Sequence, residues 1–205
     1  GESESDIFLK HLRTGYDIIK NRLGRRMMIW DDMFEFYPDV LERLPRDIIM
    51  VCWHYLGRAD RIRGHFANHV VRDTLREYDR LGFEYLICPA EYVTIQNVEN
   101  FTGYARRRAP LGAVMAAWEK WDAYMLQSLP FMAYAGRLFA SGLSGEQPGI
   151  FRDVVHDTFG LDDTLFVRAI YSVFSIGFYK ERNVRPEDFC TVAENEERPG
   201  RARLI

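Results

Sequence analysis

Cysteine is scarce in this chain: Cys52, Cys88 and Cys190 are the three in 205 residues, and none stands in CxxC spacing. That argues against a disulfide framework or a cysteine-rich zinc site, and two of the three fall in apolar runs where a thiol packs as a small hydrophobe. Free thiols and a reducing, cytoplasmic setting are the expectation. No apolar run approaches the ~20 residues that a bilayer crossing needs, and no secretory signal opens the chain, so no membrane partner is expected. An excess of either charge is missing too. Lys and Arg total 27 against 30 Asp and Glu, a net charge of -3, which supplies no field to attract a polyanion and leaves nucleic acid an unexpected partner. GxGxxG, a Walker loop, GxSxG and HExxH are all absent, leaving nucleotide binding, serine hydrolysis and zincin chemistry without support. His65 and His69 are four apart but lack a third ligand at useful spacing. Neither a cofactor nor a metal is expected.

Hydrophobic residues make up 47% of the chain, ample for a packed core in a domain of ordinary size. Four apolar runs read as strands: Met27 to Asp32, Ile48 to Tyr55, Phe83 to Pro89 and Gly112 to Glu119. Each is apolar throughout, as a parallel strand buried on both faces requires. Helical spacing predicts helices over 6–23 (Ile7, Phe8, Leu12, Tyr16, Ile19, Leu23; Ser5 or Asp6 as N-cap), over 70–81 and over 95–107. Gly24 and Gly82 mark helix ends, and Pro38 opens a short helix to Leu44. After Trp121 the chain reads as helices over 129–141, 150–159 and 164–178, followed by a polar tail. Strand alternating with helix is the repeat of parallel βα units.

A (β/α)8 barrel needs eight strands and about 250 residues. Four strands predict half of one, with residues 1–142 as the half barrel, 143–180 as a helical extension and 181–205 as a tail. Open edges on such a sheet predict either further chain or self-association. The start at Gly1, with no targeting signature to Asp6, is expected of a processed chain or a piece of a longer one.

All four tryptophans, Trp30, Trp53, Trp118 and Trp121, sit at or just past the end of a strand-like run, followed closely by carboxylates, histidine or tyrosine. In parallel α/β folds ligands bind at the carboxyl ends of strands. Alternation in the first strand puts Asp32 on the side of Trp30 and Asp31 on the other. The bland reading of this pair is an N-cap for the next segment. Trp53 and Tyr55 share a side opposite His54, and an aromatic face suits the C–H face of a pyranose, although core packing explains a single ring equally well. Glu91 or Tyr92 could reach a ligand from the loop after the third strand. Trp118-Glu119-Lys120-Trp121-Asp122-Ala123-Tyr124 mixes three rings with two carboxylates, a composition that packing alone would not favour. Arg106-Arg107-Arg108 reads as a solvated helix cap. Asn100-Phe101-Thr102 matches the glycosylation sequon by chance.

The Trp30-Asp31-Asp32-Met33 run, the Leu44-Pro45 turn, Trp53-His54-Tyr55 and above all Trp118 to Tyr124 with Leu129-Pro130 resemble the second half of family 20 glycoside hydrolases, β-N-acetylhexosaminidases, in particular the hexosaminidase D branch. The resemblance covers roughly residues 5–142. It implies a (β/α)8 barrel that removes terminal β-linked N-acetylgalactosamine or N-acetylglucosamine by substrate-assisted hydrolysis: the 2-acetamido oxygen attacks the anomeric carbon, a Glu protonates the leaving oxygen and the adjacent Asp holds the acetamide. That Asp-Glu pair belongs upstream of a WDDM-type strand, and none precedes Trp30 here, so no catalytic residue is assigned to this chain. Matching positions imply a sugar site lined by Trp30, Asp32, Trp53, Tyr55, Trp118 and Asp122, with Tyr92 and Glu119 as further candidates. Where better-known hexosaminidases place a Glu two residues after the last-strand Trp, this chain has Lys120, so Glu119 or Asp122 would substitute. The expected partners are an N-acetylhexosaminide and a missing amino-terminal half barrel. The alternatives are a non-catalytic sugar-binding half barrel that pairs with itself, and an assembly module whose strand-end aromatics bury against a partner.

Overall fold

Ser3, Glu4 and Asp6 start the first helix. The Ser3 hydroxyl accepts from the Asp6 backbone N–H at 3.2 Å, and two carboxylates in the first turn complement the positive end of the helix dipole. In the computed structural model, which describes residues 1–55, 59, 62–63, 71–91, 94–117, 124–141 and 147–176, α1 therefore spans Glu4–Tyr16, capped two residues earlier than the sequence predicts. It widens into a π-helical turn, Asp17–Arg22, before Gly24 takes a left-handed φ of 62°. The buried stripe is Leu9 and Leu12, with Phe8, Tyr16 and Ile19 against the core, whereas Ile7 and Leu23 are exposed. Ile7 lies a full step off the stripe, and the π turn shifts the helical phase of Leu23 beyond it.

Strands β1 (Met28–Trp30), β2 (Ile49–Trp53), β5 (Glu84–Cys88) and β6 (Gly112–Ala113) form one parallel sheet in the order β1-β2-β5-β6. Met28 pairs with Ile49, Ile49 with Glu84, and Leu86 with Gly112. Spatial order follows chain order, so the sheet has no reversal of the doubly wound kind. Every strand is shorter than its apolar run. β6 has two ladder residues, yet the chain stays beside β5, with Val114 N–H donating to the Ile87 carbonyl and Ala116 N–H to that of Pro89, both at 2.9 Å.

Two 3₁₀ segments, Asp32–Glu35 and Pro38–Arg43, connect β1 to β2. Between β2 and β5 the predicted helix over 70–81 begins only at Thr74. Asp73 accepts from the Arg76 N–H and sets the start of α2 (Thr74–Leu81), while Val71–Arg72 is β4, paired antiparallel with β3 (Ile62–Arg63). The β-branched Val71 sits outside the capped helix, consistent with its strand preference. Gly82 ends α2 at φ 75°. Helix α3 (Ile95–Arg106) connects β5 to β6, and α4 (Tyr124–Ser141), α5 (Gln147–Phe159) and α6 (Thr164–Ile176) come after it. α4 runs through Pro130 rather than starting beside it, at the cost of the one hydrogen bond a proline cannot donate.

The expectation that both faces of the sheet are buried is corrected. Ile29, Met50, Cys52, Tyr85 and Ile87 face the helices and pack with Leu12, Phe34, Leu41, Leu75, Tyr78 and Phe101. On the opposite face Val51 and Cys88 are buried, but Met28 and Trp30 are each 56% exposed, Val114 and Glu84 are exposed, and Ile49, Leu86 and Trp53 are half-buried. The alternation of burial follows from the helices lying along one side.

A second core joins α3, α4, α5 and α6 through Val98, Phe131, Tyr134, Leu138, Phe151, Val155 and Tyr171. Phe131 stacks on Phe151 at 5.2 Å between centroids. Within it the Glu99 carboxylate of α3 accepts from Tyr134 of α4 at 2.9 Å and from Tyr171 of α6 at 2.5 Å. The sequon Asn100-Phe101-Thr102 lies inside α3 with Phe101 and Thr102 buried. Glu99→Ala is expected to lower stability by about 3 kcal/mol, because two buried phenols lose this acceptor. Urea unfolding measures it, with Glu99→Gln expected to cost less.

Candidate functional site

The carboxyl ends of β1, β2 and β5 gather the polar and aromatic residues that the sequence singles out. β1 ends at Trp30. Asp31, at φ -99° and ψ 0°, leaves the strand, and its carbonyl accepts from the Phe34 N–H at 3.1 Å to open the 3₁₀ turn. The strand stops at Trp30, yet the two carboxylates still part as alternation predicts, Asp32 toward the Trp53 indole and Asp31 toward Tyr78 in the core. The N-cap reading of the pair is corrected as well, since Asp31 occupies the cap position without a side-chain capping bond. Its carboxylate is engaged elsewhere, with Oδ2 accepting from the Tyr78 hydroxyl at 2.8 Å and Oδ1 from the Trp53 backbone N–H at 3.3 Å. Asp32 Oδ1 accepts from the Trp53 indole Nε1–H at 3.3 Å.

Trp53 and Tyr55 share a side as alternation predicts, with rings in contact at 5.1 Å and tilted by 54°. His54 points the other way. It is fully buried, its backbone N–H donates to the Cys88 carbonyl at 3.4 Å, and its ring meets Phe101 of α3 edge-on at 5.7 Å. After β5, Glu91 does not project from a loop but is buried, accepting from Ser128 of α4 at 2.6 Å. Asn97 of α3, also buried, holds the Ala90 backbone N–H at 2.9 Å. Tyr92, Trp118, Glu119 and Asp122, together with Lys120, Trp121, His65, His69 and Cys190, lie outside the described residues.

Asp31 is half-buried as a residue, but its carboxylate is packed about closely enough that desolvation pushes its pKa up to about 7. Hydrogen bonds from Tyr78 and Trp53 pull the other way and fall short. Burial likewise raises the Cys52 thiol and the Tyr78 phenol well above their ordinary values, and pushes Cys88 up to about 12. Both cysteines are free and buried, and their thiols remain protonated donors rather than nucleophiles near neutrality. Among the described residues no three His, Cys, Asp or Glu side chains converge as a metal cluster, and no helix is long and apolar enough to cross a membrane.

Arg106 and Arg107 are exposed at the end of α3, as a solvated cap requires, and only Arg108 of the basic run departs from it. Arg108 turns inward to Asp79 at 2.8 Å and Asp73 at 3.3 Å, and stacks over the Tyr104 ring. Two carboxylates near the α2 termini neutralise it, so it offers no anion site. Tyr78, Cys52, Asn97 and Ser128 are the contributors that sequence reasoning does not single out for the site. Tyr78 stands on the apolar face of α2, where only its hydroxyl distinguishes it from packing.

The chemical capability of this end of the sheet is an exposed indole at Trp30, a half-buried indole at Trp53 in tilted contact with Tyr55, and the Asp32 carboxylate on the Trp53 indole N–H. Flat apolar faces with a polar edge suit a ring that carries both C–H faces and hydroxyls. Asp31 contributes a pH signature. A carboxyl pKa near 7 in the folded protein, against 3.8 unfolded, means the fold binds the proton more tightly. The stability from this group is present below about pH 4 and is lost as pH rises to about 7. Asp31→Asn should remove that slope, so the stability difference between wild type and variant, measured by urea unfolding at several pH values, moves in the variant's favour across this window. No protein-family model matches the chain, and no curated protein matches it.

Proposed function

We propose that this chain is the carboxyl-terminal half of a (β/α)8 glycosidase barrel of the family 20 type and supplies the sugar-binding wall of a β-N-acetylhexosaminidase. The carrying observation is the coincidence of a one-sided parallel sheet with an aromatic and carboxylate cluster at its carboxyl end. Four strands wound in chain order, with helices on one side and Met28, Trp30 and Val114 exposed on the other, have the form of a barrel wall whose inner face awaits the remaining strands. In this reading Trp30, Trp53 and Tyr55 offer ring faces to the pyranose, and Asp32 accepts from a sugar hydroxyl. The family resemblance adds Tyr92, Trp118, Glu119 and Asp122 to this reading as further sugar-binding residues. The acid–base Asp-Glu pair belongs to four preceding βα units.

The exposed Met28 and Trp30 favour one other reading, a non-catalytic sugar-binding half barrel that covers this face with a second copy of itself. Binding without the upstream half is expected to be weak, with Kd on the order of 1 mM, about -4 kcal/mol. Titration with N-acetylglucosamine or N-acetylgalactosamine should change tryptophan fluorescence saturably, with glucose less effective because it lacks the acetamide. Trp53→Ala should abolish the change while leaving the unfolding transition in place. Equal responses to all sugars, or none, would sink the reading. A saturable response with sedimentation as a dimer would favour the self-pairing module.

A further inference from the structure

We infer that Asp31 is a positioning residue: together with Asp32 it grips Trp53 at both its backbone and its indole, and so fixes the ring on which the sugar site depends. The inference rests on the functional reading above. Two consecutive carboxylates hold one tryptophan, Asp31 Oδ1 taking the backbone N–H at 3.3 Å and Asp32 Oδ1 the indole N–H at 3.3 Å. Asp31 is itself immobilised from a third element, because its other oxygen accepts from Tyr78 of α2 at 2.8 Å. A carboxylate offers about four acceptor sites, and donors from β2 and α2 occupy two of them.

That arrangement ties the end of β1, the end of β2 and the second helix to a single group. The Asp31 backbone also ends the strand and sets where Asp32 emerges, so any shift of Asp31 moves both contacts to Trp53 together. Asp31 itself is directed at the core donors rather than at the ring platform, which separates its role from that of a group touching substrate. A carboxyl in such surroundings costs more than an apolar residue of similar size unless its partners need it. Here the Tyr78 hydroxyl and the Trp53 backbone N–H do.

The titratable groups around it are Tyr78 from α2, Cys52 from β2, Cys88 from β5, Asp32 on the same turn and Asp73 at the start of α2. Of these Asp31 is the group that burial brings to about 7, which gives the clamp a handle near neutral pH.

The test is the ¹⁵N–¹H spectrum of the protein, in which the indole signal of Trp53 is assigned by its loss in Trp53→Phe. In the wild type the Trp53 backbone and indole signals should titrate together with a midpoint near about 7. Asp31→Asn, isosteric and uncharged, should abolish that titration and displace the indole signal although residue 31 does not touch the indole. Tyr78→Phe, which removes a donor to the charged form, should move the midpoint upward. N-acetylglucosamine binding, followed on the same spectra, should weaken about tenfold in Asp31→Asn. An indole signal that is the same in Asp31→Asn and wild type across the pH range would overturn the inference. A responsive indole in a wild type that binds neither N-acetylhexosamine would leave the positioning role standing and remove the sugar reading.

Discussion

A parallel sheet pairs its inner strands within itself but must still hide two apolar faces, and the helices here lie along one. The consequence runs through the molecule. Ile29, Met50, Cys52, Tyr85 and Ile87 are packed in the main core, while their neighbours Met28, Ile49 and Leu86 on the other side are exposed or half-buried. Parallel sheets occur almost only with both faces covered. The uncovered face is thus the feature that the barrel reading explains: in a closed barrel it is the interior, filled by side chains from alternate strands. The same geometry puts the ends of β1, β2 and β5 on one rim, where Trp30, Trp53 and the Asp31-Asp32 pair meet.

Polar groups organise the joints of this fold more than its sheet. Asp31 links β1, β2 and α2. Glu99 links α3, α4 and α6, Asn97 fixes the chain after β5, and Ser128 ties α4 to Glu91. Each joint sets a buried or half-buried acceptor against donors from other elements, so each specifies one arrangement of helices against strands, which apolar contact alone does not. The exposed ion pairs, such as Arg43 with Asp6 at 2.7 Å, lie in water where such contacts contribute little.

Much of the fold is legible in the sequence because burial leaves a periodic trace. The four parallel strands, the glycines after the π-helical turn and after α2, the limits of α3 and the short helix opened by Pro38 come from runs and punctuation. The departures have local causes. Asp73 caps α2 more strongly than Val70 or Val71 could continue it, so the helix starts late and Val71 joins a two-stranded ribbon. The strands are shorter than their apolar runs because a ladder extends only as far as its neighbour does. The site is legible in part. Trp53, Tyr55 and His54 fall as alternation says, and Asp31 and Asp32 take the sides it gives although the strand has already ended. Glu91 reads as a loop residue because nothing in its immediate sequence reveals Ser128, which arrives 37 positions later. Tyr78 is hidden for the same reason: its hydroxyl finds Asp31 across 47 positions.

The one-sidedness of the sheet can be measured directly by hydroxyl-radical footprinting of the protein with mass-spectrometric readout. Met28 and Met50 lie in adjacent strands of the same sheet on opposite faces, one 56% exposed and the other fully buried. A one-sided sheet predicts rapid oxidation at Met28 and Trp30 and slow oxidation at Met50. Oxidation of Met28 as slow as that of Met50 would show the face to be covered in this chain and would contradict it.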